Sequence, residues 1–147
     1  RSTLFPYTTL FRSSYVIKNS KSAYDAIISM FVADVGSVYV VDERNLLVGV
    51  VSRKDLLKLA TNSNGDMKTI PVVMAMTPLS KMVMVFPDTT VAAAARKVID
   101  NQIDSLPVVR CVDKKTKDYE IVGRITKTNF TRLFVDIAEG REVSHHD

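Results

Sequence analysis

Gly49-Val50-Val51-Ser52-Arg53-Lys54-Asp55 is written a second time as Gly123-Arg124-Ile125-Thr126-Lys127-Thr128-Asn129. Each stretch follows an apolar run (Leu46-Leu47-Val48; Ile121-Val122) and precedes a helix-like run (Leu56-Leu57-Lys58-Leu59; Phe130-Thr131-Arg132-Leu133-Phe134). The order is strand, glycine, hydroxyl residue, helix start. The first amides of a helix lack intrahelical partners, so a glycine and a hydroxyl beside them suit an anion. A carboxylate three residues on, Asp55, suits the donor hydroxyls of a ribose. The same spacing, Ser52-x-x-Asp55, is also a variant of the capping box that merely closes a helix. Either reading accounts for one copy; the duplication favours a site.

A shift of 68 positions lays residues 22–41 on residues 90–109. Ala23, Ala26, Ile27, Met30 and Phe31 then fall on Val91, Ala94, Ala95, Val98 and Ile99, both sets following the i, i+3, i+4, i+7, i+8 pattern of one buried helical face. Ser22 and Thr90 coincide as N-caps. Ser37-Val38-Tyr39-Val40-Val41 lies on Ser105-Leu106-Pro107-Val108-Val109, which predicts a strand in each copy. The two glycine stretches are offset by 74 positions, so the second copy carries six extra residues, assigned to a polar hairpin connection over 111–120. The chain therefore reads as α/β, two copies of one strand–helix–strand–strand–helix unit.

The copies are separated by the turn-rich Thr61-Asn62-Ser63-Asn64-Gly65-Asp66. Beyond it, Ile70-Pro71-Val72-Val73-Met74-Ala75-Met76-Thr77-Pro78 predicts a short helix with Pro71 in its first turn, and Met82-Val83-Met84-Val85-Phe86 predicts the opening strand of copy two. Sixty-eight positions earlier, Val16-Ile17 answers Met84-Val85, but Pro71, Met76 and Thr77 fall on Thr3, Thr8 and Thr9 without similarity. Residues 1–13, Arg-Ser-Thr-Leu-Phe-Pro-Tyr-Thr-Thr-Leu-Phe-Arg-Ser, are similar to a translated sequencing-adapter read-through and are left outside the fold, with the natural N-terminus read as lost. The expected boundaries are 14–64 for a first repeat truncated at its N-terminus, 65–77 for a linker and lead-in helix, 78–138 for the second repeat and 139–147 for a tail. His145 and His146 belong to that tail, with no Cys or acidic cluster at metal spacing beside them.

Composition narrows the function class. Of 147 residues, 46% are hydrophobic and 24% charged, a globular balance. The net charge of +4 is mild, Arg1 and Arg12 supply two of those charges, and nucleic-acid binding by this chain itself is not indicated. No apolar run reaches the length of a membrane span, and the lone Cys111 leaves no intrachain disulfide, which fits a reducing cytoplasm. No Ser-His-Asp, Cys-His or paired-carboxylate constellation is recognisable, so no enzyme is expected; a turn explains Asp42 and Glu43.

The duplicated unit resembles a tandem pair of CBS domains, the Bateman module, over residues 14–138. The resemblance rests on Met76-Thr77, on Ser105-Leu106-Pro107-Val108-Val109, and on the two glycine stretches. A narrower similarity, to the CcpN family of control-catabolite repressors, is carried by Asp34-Val35-Gly36-Ser37-Val38-Tyr39-Val40-Val41-Asp42, Val50-Val51-Ser52-Arg53-Lys54-Asp55-Leu56-Leu57 and Gly123-Arg124-Ile125-Thr126-Lys127-Thr128-Asn129. Members of that family place a winged-helix DNA-binding domain, which this chain lacks, ahead of the CBS pair. The resemblance implies two β-α-β-β-α repeats with sheets packed face to face in a pseudo-twofold pair. It also implies clefts for an adenine nucleotide (ATP, ADP or AMP) as regulatory ligand and a homodimer formed through the CBS helices. DNA would be met only through the missing domain, with no membrane association.

Carried over by residue, the resemblance gives Asp55 the ribose hydroxyls, Ser52 a phosphate or ribose oxygen, and Arg53 with Lys54 the phosphate charge. Ser37, Val38 and Tyr39 would offer main-chain groups and apolar surface to the adenine, joined by Val16 and Ile17. In copy two the corresponding residues are Thr126, Lys127, Arg124 and Asn129, lined by Ser105, Leu106, Pro107 and Val85. Asn129 departs from the pattern: its amide oxygen is expected to accept from a ribose hydroxyl, about 1 kcal/mol more weakly than a carboxylate would. The implied function is a ligand-sensing module of a transcriptional repressor. Its rivals are a regulatory insert of a nucleotide-controlled enzyme or transporter, and a purely structural dimerisation scaffold.

Overall fold

The structure is a computed structural model that describes residues 3–4, 8–10, 13–62, 64–103 and 105–140; the end of the expected tail, with His145 and His146, lies outside these. In chain order the strands are β1 (Thr9–Leu10), β2 (Val16–Lys18), β3 (Ser37–Val41), β4 (Leu47–Ser52), β5 (Thr77–Pro78), β6 (Ser105–Asp113) and β7 (Asp118–Thr126). The helices are α1 (Ala23–Ala33), α2 (Arg53–Asn62), α3 (Val91–Asn101) and α4 (Lys127–Ala138). The chain divides into two compact units, residues 12–82 and residues 1–11 with 83–147. None of the described helices is long and apolar enough to cross a membrane.

The unit of residues 12–82 holds a four-stranded sheet in the order β2-β3-β4-β5. β2 runs parallel to β3, and the other pairs are antiparallel. The β-branched run of β3 suits a strand buried on both faces, and its residues from Val38 to Val41 are all buried. Val38, Val40 and Val51 face a core shared with Ala23, Ala26 and Met30 of α1, Leu56 of α2, Ile17 and Val72. A capping box closes the start of α1, with Ser22 and Asp25 exchanging side-chain and main-chain bonds.

The other unit repeats this plan. β6 and β7 pair antiparallel, Val85 bridges Val108 in parallel, and β1 pairs antiparallel with β7. Its core follows the offsets read from the sequence: Val85, Val91, Ala94, Leu106 and Val108 stand where Ile17, Ala23, Ala26, Val38 and Val40 stand, and Ile125 and Phe130 answer Val51 and Leu56.

Four expectations change. The segment left outside the fold contributes to it: Leu4 lies in the second core, Thr3 bridges Thr90, and Thr9 and Leu10 pair with Arg124 and Gly123. The 68-residue offset persists there, since Pro71 bridges Ser22 and Thr77 and Pro78 pair with Val50 and Gly49. The strand expected over 82–86 shrinks to the single bridge at Val85. The hairpin connection expected over 111–120 narrows to residues 114–117, because the strands stay paired out to Asp113 and Asp118. Finally, Phe31 and Ile99, placed on the buried helical faces, are 83% and 66% exposed. Position i+8 lies about 80° round the helix from position i, beyond what the sheet covers.

Candidate functional site

Both candidate sites are junctions without a loop. Ser52 ends β4 and α2 begins at Arg53; Thr126 ends β7 and α4 begins at Lys127. The sheet ladder therefore fixes each hydroxyl at a helix start, and the register sets Ser37 opposite Ser52 and Ser105 opposite Thr126. The Arg53 N–H donates to the Gly36 carbonyl at 3.2 Å, tying the first turn of α2 to the residue ahead of β3. A Cβ on Gly36 would stand 3.4 Å from an Arg53 guanidinium nitrogen, in contact with the far end of that flexible side chain.

Inside each junction the third residue of the helix reaches back. Asp55 Oδ2 accepts from the Ser52 N–H at 2.9 Å and from the Ser52 hydroxyl at 3.0 Å, while the Asp55 N–H donates to Ser52 Oγ at 3.2 Å. Asn129 Oδ1 accepts from the Thr126 N–H at 2.7 Å and from the Thr126 hydroxyl at 2.9 Å. The capping reading is thus realised in both copies. It does not exclude ligand binding, because each cap engages only one of the two terminal atoms of its side chain.

Among the described residues, Oδ1 of Asp55 and Nδ2 of Asn129 take no hydrogen bond. The orientation of the amide follows from its partner, since a main-chain N–H only donates and must face the amide oxygen. Two donors fill the two lone pairs of that oxygen. The expected acceptance from a ribose hydroxyl by Asn129 therefore has no lone pair left to use.

The remaining site residues separate into two groups. Ser37, Ser52, Asp55, Ser105, Thr126 and Asn129 are partly exposed, and Arg53, Lys54 and Lys127 are exposed. Val38, Leu106 and Val85 are fully buried in the cores, so their side chains cannot present apolar surface to an adenine, and only main-chain groups remain for that role. Tyr39 and Pro107 belong to neither core, as the alternation of a strand requires. The Tyr39 ring meets Tyr15 edge to face, centroids 6.0 Å apart at 84°. Tyr15 was missed by sequence reasoning; an aromatic directly ahead of the β2 residues Val16-Ile17 was the available signal. Arg124 pairs with Pro107 on one side and Thr9 on the other, two residues before Thr126.

The CBS domain model matches residues 12–62 and 68–136. The chain belongs to the CBS-domain family. Its two units are then the two members of a CBS pair, with the Ser/Thr-x-x-Asp/Asn junction in each. The pair is 41% identical over 124 residues to the transcriptional repressor CcpN of Bacillus subtilis (strain 168), covering 84% of this chain and 57% of the repressor. It is 29% identical over 116 residues to the mitochondrial CBS domain-containing protein CBSX3 of Arabidopsis thaliana, covering 78% of this chain and 53% of that protein. The chain thus spans little more than half the length of these relatives. Among solved structures, CBSX2 in complex with AMP superimposes with a TM-score of 0.75 at 30% identity, over 94% of this chain and 99% of that one.

Proposed function

We propose that this CBS pair senses an adenine nucleotide (ATP, ADP or AMP) and transmits its occupancy to the DNA-binding part of a transcriptional repressor. The observation that carries this reading is the free Asp55 carboxylate oxygen at a junction with Ser52, which has Ser37 opposite it in the ladder and Arg53 next in the chain, in a protein 30% identical to a CBS pair crystallised with AMP. In copy one Asp55 takes the ribose hydroxyls, Ser52 an adjacent oxygen and Arg53 the phosphate, while Ser37, Val38 and Tyr39 offer main-chain groups to the base. In copy two Thr126, Lys127 and Asn129 stand at the equivalent positions, lined by Ser105, Leu106, Pro107 and Val85. The similarity to CcpN supports the repressor role, with DNA contacted by a domain outside this chain and the module acting in the cytoplasm.

The module is regulatory and not catalytic. A ligand controls it by binding one arrangement of the protein better than another. The exposed apolar residues Phe31 and Val32 of α1, Leu57 of α2, Ile99 of α3 and Phe134 of α4 support a homodimer formed through the helices.

Calorimetric titration with AMP, ADP, ATP and S-adenosylmethionine tests the sensor. Binding that Asp55→Ala weakens by at least about tenfold, roughly 1.4 kcal/mol, supports it and identifies the ligand. No heat from any of the four with a folded protein would leave two helix caps in a dimerisation scaffold.

A further inference from the structure

We infer that the two copies read opposite hydrogen-bond chemistry: copy one a ligand group that donates, as ribose hydroxyls do, and copy two a ligand group that only accepts, a phosphate oxygen. The inference rests on the nucleotide-sensing reading above and assigns a ligand class to its second site. The two caps share the bonds from the main-chain N–H and the hydroxyl to one terminal oxygen, so the atom each leaves over is what differs. Asp55 spends Oδ2 on Ser52 and leaves Oδ1, an anionic acceptor. Asn129 spends Oδ1 on Thr126 and leaves Nδ2, a donor with two hydrogens. A ribose hydroxyl can still accept from an amide, but a phosphate oxygen, carrying charge and offering lone pairs only, is the stronger partner.

The charges around each junction point the same way. Residues 49–55 carry the cations Arg53 and Lys54 with the acid Asp55. Residues 123–129 carry the cations Arg124 and Lys127 with no acid. A phosphate oxygen near Asp55 would meet a carboxylate; near Asn129 it meets an amide donor and the first amides of α4. The phosphate could be esterified on the ribose or stand at the end of a nucleotide's phosphate chain, and the two sources call for different probes.

The test is calorimetry on the 147-residue chain carrying Asp55→Ala to silence copy one, with Asn129 either retained or changed to Asp. The probes are AMP, which has a free ribose diol, adenosine 3′,5′-bisphosphate, which has a phosphate on the ribose, and ADP, which has an additional terminal phosphate. Asp already forms this box at positions 25 and 55, so Asn129→Asp keeps the cap, and circular dichroism verifies the fold. The expected result is that Asn129→Asp weakens by at least about tenfold the probe whose phosphate copy two takes: the bisphosphate alone for a phosphate at the 3′ position, ADP alone for the terminal phosphate, and all three for the 5′-phosphate they share. Unchanged affinities for all three probes, with AMP binding to the unmutated chain still lost on Asp55→Ala, would overturn this inference and leave the sensor reading standing. No binding of any probe, or of ATP, to the unmutated, folded chain would overturn both.

Discussion

Leu4 and Val72 occupy equivalent places in two different units, 68 residues apart in the chain, and both are fully buried. Each lies next to a residue that bridges the N-cap of a core helix, Thr3 to Thr90 and Pro71 to Ser22. Leu4→Ala is therefore expected to destabilise by about 2–5 kcal/mol, the cost of emptying a buried leucine site. Val72→Ala should act in the same direction by a smaller amount. Hydrogen exchange checks the placement: Leu4→Ala should lower protection in β6 and β7, and Val72→Ala in β3 and β4.

Gly49 is required by close approach. A Cβ there would stand 2.6 Å from Met76 Sδ and 2.7 Å from the Thr77 carbonyl oxygen, so β5 would have to move away from β4. Gly49→Ala should cost about 1–3 kcal/mol by denaturant titration. At Gly36 the nearest atom belongs to the flexible Arg53 side chain at 3.4 Å, and Gly36→Ala should stay within about 1 kcal/mol of the parent.

The helices α1 and α3 end alike, on residues with left-handed backbone: Asp34 at φ 53° and Gln102 at φ 51°. L-residues pay a steric cost in that region that glycine escapes. Asp34→Gly and Gln102→Gly should each raise stability by about 0.5–1 kcal/mol, read as a higher denaturation midpoint at unchanged slope.

Acid should act on the α1 cap. The Ser22 main-chain N–H, helped by its hydroxyl, holds the Asp25 carboxyl below its ordinary range. A carboxylate whose pKa is lowered by folding contributes stability above its unfolded pKa of about 3.9, and that stability is lost as pH falls through the lower folded value. The Tm of the parent should therefore fall more steeply below about pH 4 than that of Asp25→Asn.

What could be read in the sequence followed side-chain demand. The helix faces of α1 and α3, the strands β3 and β6 and the two caps all require particular side chains, and they stand at the offsets the repeat predicted. β1 escaped because an edge strand is held by main-chain bonds, which Thr9-Leu10 supplies as well as Thr77-Pro78 does. Only the Leu4/Val72 anchor carried a side-chain signal, and one residue does not reveal a repeat. The direction of the Asn129 amide was hidden for a different reason: the residue type permits either polarity, and only the Thr126 N–H selects one.

The pairing of β1 with β7 has a consequence for synthesis. The unit of residues 12–82 is contiguous and can close as soon as it leaves the ribosome, whereas Thr9–Leu10 must wait for Gly123 and Arg124. At a synthesis rate of about 5–20 residues per second, that delay is on the order of ten seconds. β1 is thus made before the unit of residues 12–82 yet finds its partner after it, and the nascent chain carries it unpaired while the neighbouring unit folds.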